Sequence, residues 1–176
     1  MTIPNLITIA RLILVPLLVA MIGQGRWGTA FVIFLAAGLS DAADGAIARR
    51  YNLRSELGAY LDALADKALL VSIYVTLALK SELPGWLAIT VVSRDVMIIG
   101  AIILSRIMDK PVQIRPLFIS KLNTAVQIAF AAGVLGVKAL ALQHDTLLEA
   151  AMLLVATLTI ASAAAYLERW LRHMAA

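Results

Sequence analysis

Cysteine is absent from this chain of 176 residues, and histidine occurs only as His144 and His173. Without cysteine there is no disulfide framework, no thiol nucleophile and no thiolate metal site. So little histidine disfavours zinc. The start of the chain also lacks what a cleaved signal needs, because its first apolar stretch has no basic lead-in and carries Arg11. No Arg- and Ser-rich transit segment precedes that stretch. A soluble composition is missing too. Apolar residues make up 62% of the chain, whereas soluble domains contain about 45–50%. A globule of this size cannot hide so many from water. The expectation is an integral membrane protein, one domain over residues 1–176, in a bacterial inner membrane. The net charge of +4 then serves anionic lipid at a bilayer surface, and no nucleic acid is expected.

A helix needs about 20 mostly apolar residues to span a bilayer. Six stretches qualify, roughly Leu6–Ile22, Gly28–Arg49, Gly58–Leu79, Trp86–Ile107, Ser120–Val137 and Thr146–Arg172. The expected fold class is all-α, a six-helix transmembrane bundle. Gly23-Gln24-Gly25 and Leu83-Pro84-Gly85 close the first and third spans. Arg50, Arg54, Lys110 and Arg115 follow the second and fourth spans, and Arg169 and Arg172 lie at the end of the chain. Loops rich in Lys and Arg face the cytoplasm, so both termini are expected there. Trp27, Trp86 and Trp170 fall at span ends, as interfacial aromatics should. Small residues cluster at Ala36-Ala37-Gly38, at Gly133 with Gly136, and from Ala161 to Ala165. They permit close helix packing, within the bundle or across a homodimer interface.

Against this background stand four aspartates in the pattern Asp41-x2-Asp44-Gly45-x2-Ala48-Arg49-x8-Gly58-x3-Asp62-x3-Asp66. A charged residue at mid-membrane costs about 2.5–3.5 kcal/mol on insertion scales, so such residues mark function by default. Asp41 and Asp44 share one helix face by their i, i+3 spacing, and Asp62 and Asp66 share another by i, i+4. The connection from Arg50 to Leu57 is short, which predicts antiparallel neighbouring helices with all four carboxylates at one depth beneath the cytoplasmic surface. Ser55 is a candidate N-cap for the third helix. Only one arginine lies inside the motif, so the carboxylates call for metal. Oxygen donors alone suit Mg²⁺ or Mn²⁺, and paired divalent ions serve phosphoryl chemistry. One carboxylate is available as a general base. Intramembrane acids also mark ion pathways, so a divalent-cation transporter is the rival from another class. The ordered Gly, Ala and Arg positions have no obvious use in transport.

Other polar residues interrupt the apolar spans. Asn5, Thr8 and Arg11 recur every three residues of the first, and Arg11 within an apolar run points to nucleotide or phosphate contact. Arg94 and Asp95 lie inside the fourth span. They project about 100° apart and need not pair with each other. Arg115 and Lys121 flank the start of the fifth. They read as loop charges or as a cationic pocket for an acceptor phosphodiester. Lys67 balances the acidic cluster or extends its charge to the interface.

The aspartate motif resembles the signature of the CDP-alcohol phosphatidyltransferases, and the resemblance runs over most of the chain. The opening Asn5-x2-Thr8-x2-Arg11 is similar to that of members acting on phosphatidylglycerol or glycerol 3-phosphate. Ser93-Arg94-Asp95-Val96-Met97 and Phe118-Ile119-Ser120-Lys121-Leu122-Asn123 look like the CMP-forming cardiolipin synthase branch. That family implies a six-helix membrane bundle. It implies one metal on Asp41, Asp44 and Asp62, another on Asp41, Asp62 and Asp66, and Asp66 as base. It places Asn5, Thr8, Arg11, Asp41, Gly45, Ala48, Arg49 and Gly58 around the CDP-lipid, and Arg94, Arg115, Lys121 and Asn123 around the acceptor. The implied substrates are CDP-diacylglycerol and phosphatidylglycerol, with glycerol 3-phosphate as the alternative acceptor.

Overall fold

The computed structural model describes residues 3–51, 56–109, 117–142 and 145–175, with side chains over 10–40, 64–109, 117–142 and 146–175. They form six helices: α1 (Ile3–Gly23), α2 (Trp27–Tyr51), α3 (Glu56–Leu79), α4 (Gly85–Ile107), α5 (Phe118–Ala139) and α6 (Asp145–Ala175). Each matches an expected span to within a few residues. Ser55 lies outside the described residues.

The helix ends explain where the chain turns. After α1, Gly25 adopts φ +72°. Its N–H reaches the Ile22 carbonyl at 3.0 Å while the Arg26 N–H reaches the Met21 carbonyl at 2.9 Å. This pair of bonds is the Schellman closure, which needs a left-handed residue at its centre and favours glycine there. The ends of α3 and α5 use the same closure without glycine. Ser81 takes φ 59° and Ala141 φ 52°, with Glu82 N–H bonded to Leu77 and Leu142 N–H to Val137.

Packing partners run in a ring: α1 against α2, α2 against α5, α5 against α6, α6 against α4, α4 against α3, and α3 back against α1, with α3 also touching α5 across the middle. The core is apolar along one half, with Leu18, Ile22, Ile73, Leu77, Leu87, Leu135 and Val155 fully enclosed. Where α4, α5 and α6 meet, polar residues are buried instead, among them Arg94, Asp95, Asn123, Gln127, Thr159 and Ser162. Large apolar side chains face outward all around, including Leu39, Leu79, Ile89, Ile107, Phe118 and Ile160. A surface so extensively apolar belongs against lipid. Among the described residues, three helices are long and apolar enough to cross a membrane: Gly85–Ile107, Phe118–Ala139 and Thr146–Ala175.

The small residues have mixed roles. Ala37 is fully buried, and a Cβ at Gly136 would meet the Phe31 ring at 3.4 Å. Gly133 and Gly38 have open space around them.

One difference from expectation concerns α2 and α3. Their short connection predicts direct packing, yet among the described residues they make no contact with each other. A cavity of about 270 Å³ separates them, walled also by Arg11 of α1 and by Thr124, Ile128 and Ala132 of α5. The α1 helix packs against both α2 and α3.

Candidate active site

The aspartate motif occupies the last part of α2 and the first part of α3. The side chains of Asp41, Asp44, Gly45, Ala48, Arg49, Gly58 and Asp62, like those of Asn5 and Thr8, are outside the described set, and Arg115 lies wholly outside it. Asp66 is described. Its side chain is 46% exposed, and its Oδ1 accepts a hydrogen bond from Arg11 Nη1 at 2.8 Å. The Arg11 side chain is 0% exposed. A guanidinium enclosed among apolar helices is costly to place there unless its charge is answered. The spacing Asn5, Thr8, Arg11 on α1 brings this one cation against α3, where the carboxylate answers it.

Both groups stand at the edge of the cavity between α2 and α3. Away from them its walls turn apolar, with Phe34, Leu35 and Leu39 from α2, and Leu69 and Leu70 from α3. Leu39 lies two residues before Asp41. The charged part of the lining comes from Arg11 and Asp66, and the apolar remainder fits hydrocarbon. That combination suits a ligand with a charged head and an apolar tail.

Beyond α3 lies a second polar cluster. Lys67 Nζ contacts Asp95 Oδ1 at 2.8 Å. Arg94 Nη1 donates to the same oxygen at 2.6 Å. Although consecutive on α4, Arg94 and Asp95 do pair, because the long arginine reaches round the helix. Arg94 Nη2 donates to Ser120 on α5 at 2.5 Å and to Ser162 on α6 at 2.9 Å. Its guanidinium carbon lies 5.7 Å from the centre of the Tyr166 ring. One turn further along α5, Asn123 is fully buried and its Oδ1 accepts from Thr159 at 2.9 Å. Gln127 donates to that same Thr159 hydroxyl at 3.1 Å, and its carbonyl accepts from Tyr74 at 3.1 Å. Lys121 is exposed. Of the four residues tied to an acceptor, Arg94 and Asn123 thus face interior partners, while Lys121 faces outward. Ser120, Ser162, Tyr166 and Thr159 did not stand out in the sequence. Their signal was the stripe Thr159, Ser162, Tyr166 at i, i+3, i+7 on an otherwise apolar helix.

The donor set bears on metal. Among the described residues no three acidic, His or Cys side chains converge, since Asp66 is the one motif aspartate described. Oxygen donors of the kind Asp66 supplies suit hard cations such as Mg²⁺ or Mn²⁺. The Asp66 side chain is 46% exposed at the cavity.

Comparison with known proteins agrees with this arrangement. The family model described as CDP-alcohol phosphatidyltransferase matches residues 1–166. A Homo sapiens protein named cardiolipin synthase (CMP-forming) is 36% identical over 181 aligned residues, covering 94% of this chain and 60% of its own length. A Drosophila melanogaster protein named probable cardiolipin synthase (CMP-forming) is 37% identical over 145 residues, or 73% of this chain and 45% of its own. A Mycobacterium tuberculosis protein named probable phosphatidylglycerophosphate synthase is 36% identical over 97 residues, or 52% of this chain and 46% of its own. The chain thus spans about 60% or less of the length of these relatives. The match takes in the whole aspartate motif, Arg11, the Arg94–Asp95 pair and Asn123, and on that ground the chain belongs to the CDP-alcohol phosphatidyltransferase family.

Proposed function

We propose that the protein moves the phosphatidyl group of CDP-diacylglycerol to the free hydroxyl of phosphatidylglycerol, forming cardiolipin and releasing CMP. The observation that carries this reading is the Arg11–Asp66 contact at the polar edge of an otherwise apolar cavity. It sets an oxygen base and a cation where the head of a lipid would lie while its tail follows the cavity walls. The names of the human and fly relatives support the choice of acceptor.

In this reading Asp41, Asp44, Asp62 and Asp66 hold two Mg²⁺ or Mn²⁺ ions, which supply charge neutralisation to the pyrophosphate. Gly45, Ala48, Arg49 and Gly58, with Asn5, Thr8 and Arg11, bind the CDP moiety, and the absence of bulk at the small positions admits it. Asp66 takes the proton from the attacking hydroxyl. The new P–O bond forms at the phosphorus bearing diacylglycerol, and the bond from that phosphorus to CMP breaks. Cysteine is absent, and direct attack needs no covalent enzyme intermediate. Lys121 and Arg115 meet the acceptor phosphodiester, while Arg94 and Asn123 shape that pocket from within the bundle. All six helices span the bilayer, with both termini and the motif on the cytoplasmic side of a bacterial inner membrane. The small residues around Gly38, Gly133 and Ala161–Ala165 would serve a homodimer interface where they do not serve packing within the bundle.

The purified protein is given CDP-diacylglycerol with Mn²⁺ or Mg²⁺ and one acceptor at a time, and CMP and the lipid product are measured by mass spectrometry. Cardiolipin from phosphatidylglycerol is the expected product. Phosphatidylglycerophosphate from glycerol 3-phosphate would instead support the reading favoured by the mycobacterial relative. No CMP with either acceptor would defeat both.

A further inference from the structure

Asp66 and Lys67 are consecutive on α3, so they project about 100° apart and are gripped by different helices. Asp66 is held by Arg11 of α1 at 2.8 Å. Lys67 is held by Asp95 of α4, also at 2.8 Å. In the ring of helices α3 lies between those two neighbours. A single tether leaves a helix free to swivel about the contact, whereas two tethers on different bearings fix its rotation. The α4 tether is itself anchored. Asp95 Oδ1 also receives Arg94 Nη1 at 2.6 Å, and Arg94 is fastened to Ser120 of α5 and Ser162 of α6. Through Asp95, then, α3 is tied to the other half of the bundle. Neither Lys67 nor Asp95 lines the cavity beside Asp66.

We propose that Asp95 is a positioning residue: by holding Lys67 it sets the rotation of α3 and thereby the direction in which Asp66 faces the cavity. This rests on the metal-binding role given to Asp66 above. The contact acts on metal geometry through one intervening residue. Such supporting contacts typically change metal affinity by about 10- to 100-fold.

The test uses the full chain in lipid nanodiscs without substrate, titrated with Mn²⁺ and followed by the electron paramagnetic resonance of the free ion. Wild type, Asp95→Asn, Lys67→Gln, the double variant and Asp95→Glu are compared, each with its melting temperature. Asp95→Asn and Lys67→Gln are each expected to weaken Mn²⁺ binding about tenfold. The double variant should fall no further than Asp95→Asn alone, because both substitutions remove one contact. Asp95→Glu should recover most of the affinity. Unchanged affinity in both single variants overturns the proposal, as do fully additive losses. If Asp95→Asn does not fold, Lys67→Gln carries the test. Loss of folded protein in both assigns the pair a structural role only and overturns it as well. Failure of the wild type itself to bind Mn²⁺ would instead strike the metal site on which the proposal rests.

Discussion

Arg11 on α1 and Asp66 on α3 are joined by a 2.8 Å hydrogen bond in which the cation is wholly enclosed and the anion is half open. The asymmetry assigns them different duties. Arg11 is enclosed by its surroundings, while Asp66 lines the cavity with its side chain 46% exposed. Replacing Arg11 by leucine removes a charge-assisted hydrogen bond worth about 1.5–3 kcal/mol. CMP release should fall roughly 10- to 100-fold, since about 1.4 kcal/mol is tenfold. Arg11→Lys keeps the charge but loses the fork geometry, and it should lie between the two. Both rates are measured at saturating Mn²⁺.

Asp66→Asn keeps the size of the side chain and its bond to Arg11 but cannot take a proton. Turnover should drop by about 10²- to 10⁴-fold, the range of general-base contributions. Binding of CDP-diacylglycerol, followed by equilibrium dialysis or fluorescence, should persist. Near-normal turnover would remove Asp66 from the base role.

Gly38 lines the cavity, and a Cβ added there meets nothing within 4 Å. Gly38→Leu should therefore fold normally while filling space between α2 and α3. Turnover with long-chain CDP-diacylglycerol is expected to fall several-fold, and turnover with short-chain analogues much less. Equal loss for both chain lengths would mean that the cavity does not house hydrocarbon.

Ser81 and Ala141 hold the left-handed closing positions of α3 and α5, at φ 59° and 52°. A left-handed conformation costs an L residue roughly 1–2 kcal/mol relative to glycine. Ser81→Gly and Ala141→Gly should each stabilise the fold by about 1 kcal/mol, seen as a raised melting temperature with unchanged CMP release. They lie at the end of the bundle away from the motif.

The helices were legible because their causes are local. Apolar length sets the spans, and Gly23-Gln24-Gly25 supplies a turn that only a left-handed residue can close. The aspartate motif made the family legible, because its residue types and spacings lie within one short stretch of chain. The lateral order of the helices was not. It depends on matches between distant residues, such as Arg94 with Ser162, 68 positions apart, and no period in the sequence marks such a pair. The connection between α2 and α3 is short, yet along their described flanks the helices stand on either side of a cavity. Shortness constrains where helix ends meet and says little about the space between their flanks. The Arg94–Asp95 pairing was missed because helical angle alone ignores the reach of a long side chain.

At the end opposite the motif, Lys80 donates to the Gly23 carbonyl at 2.8 Å, and Lys138 pairs with Glu82 and stands 6.0 Å over the Trp27 ring. These ties hold α1, α2, α3 and α5 together at that end. A ligand entering the cavity between α2 and α3 therefore meets helices pinned at one end, and any parting of them would begin at the other.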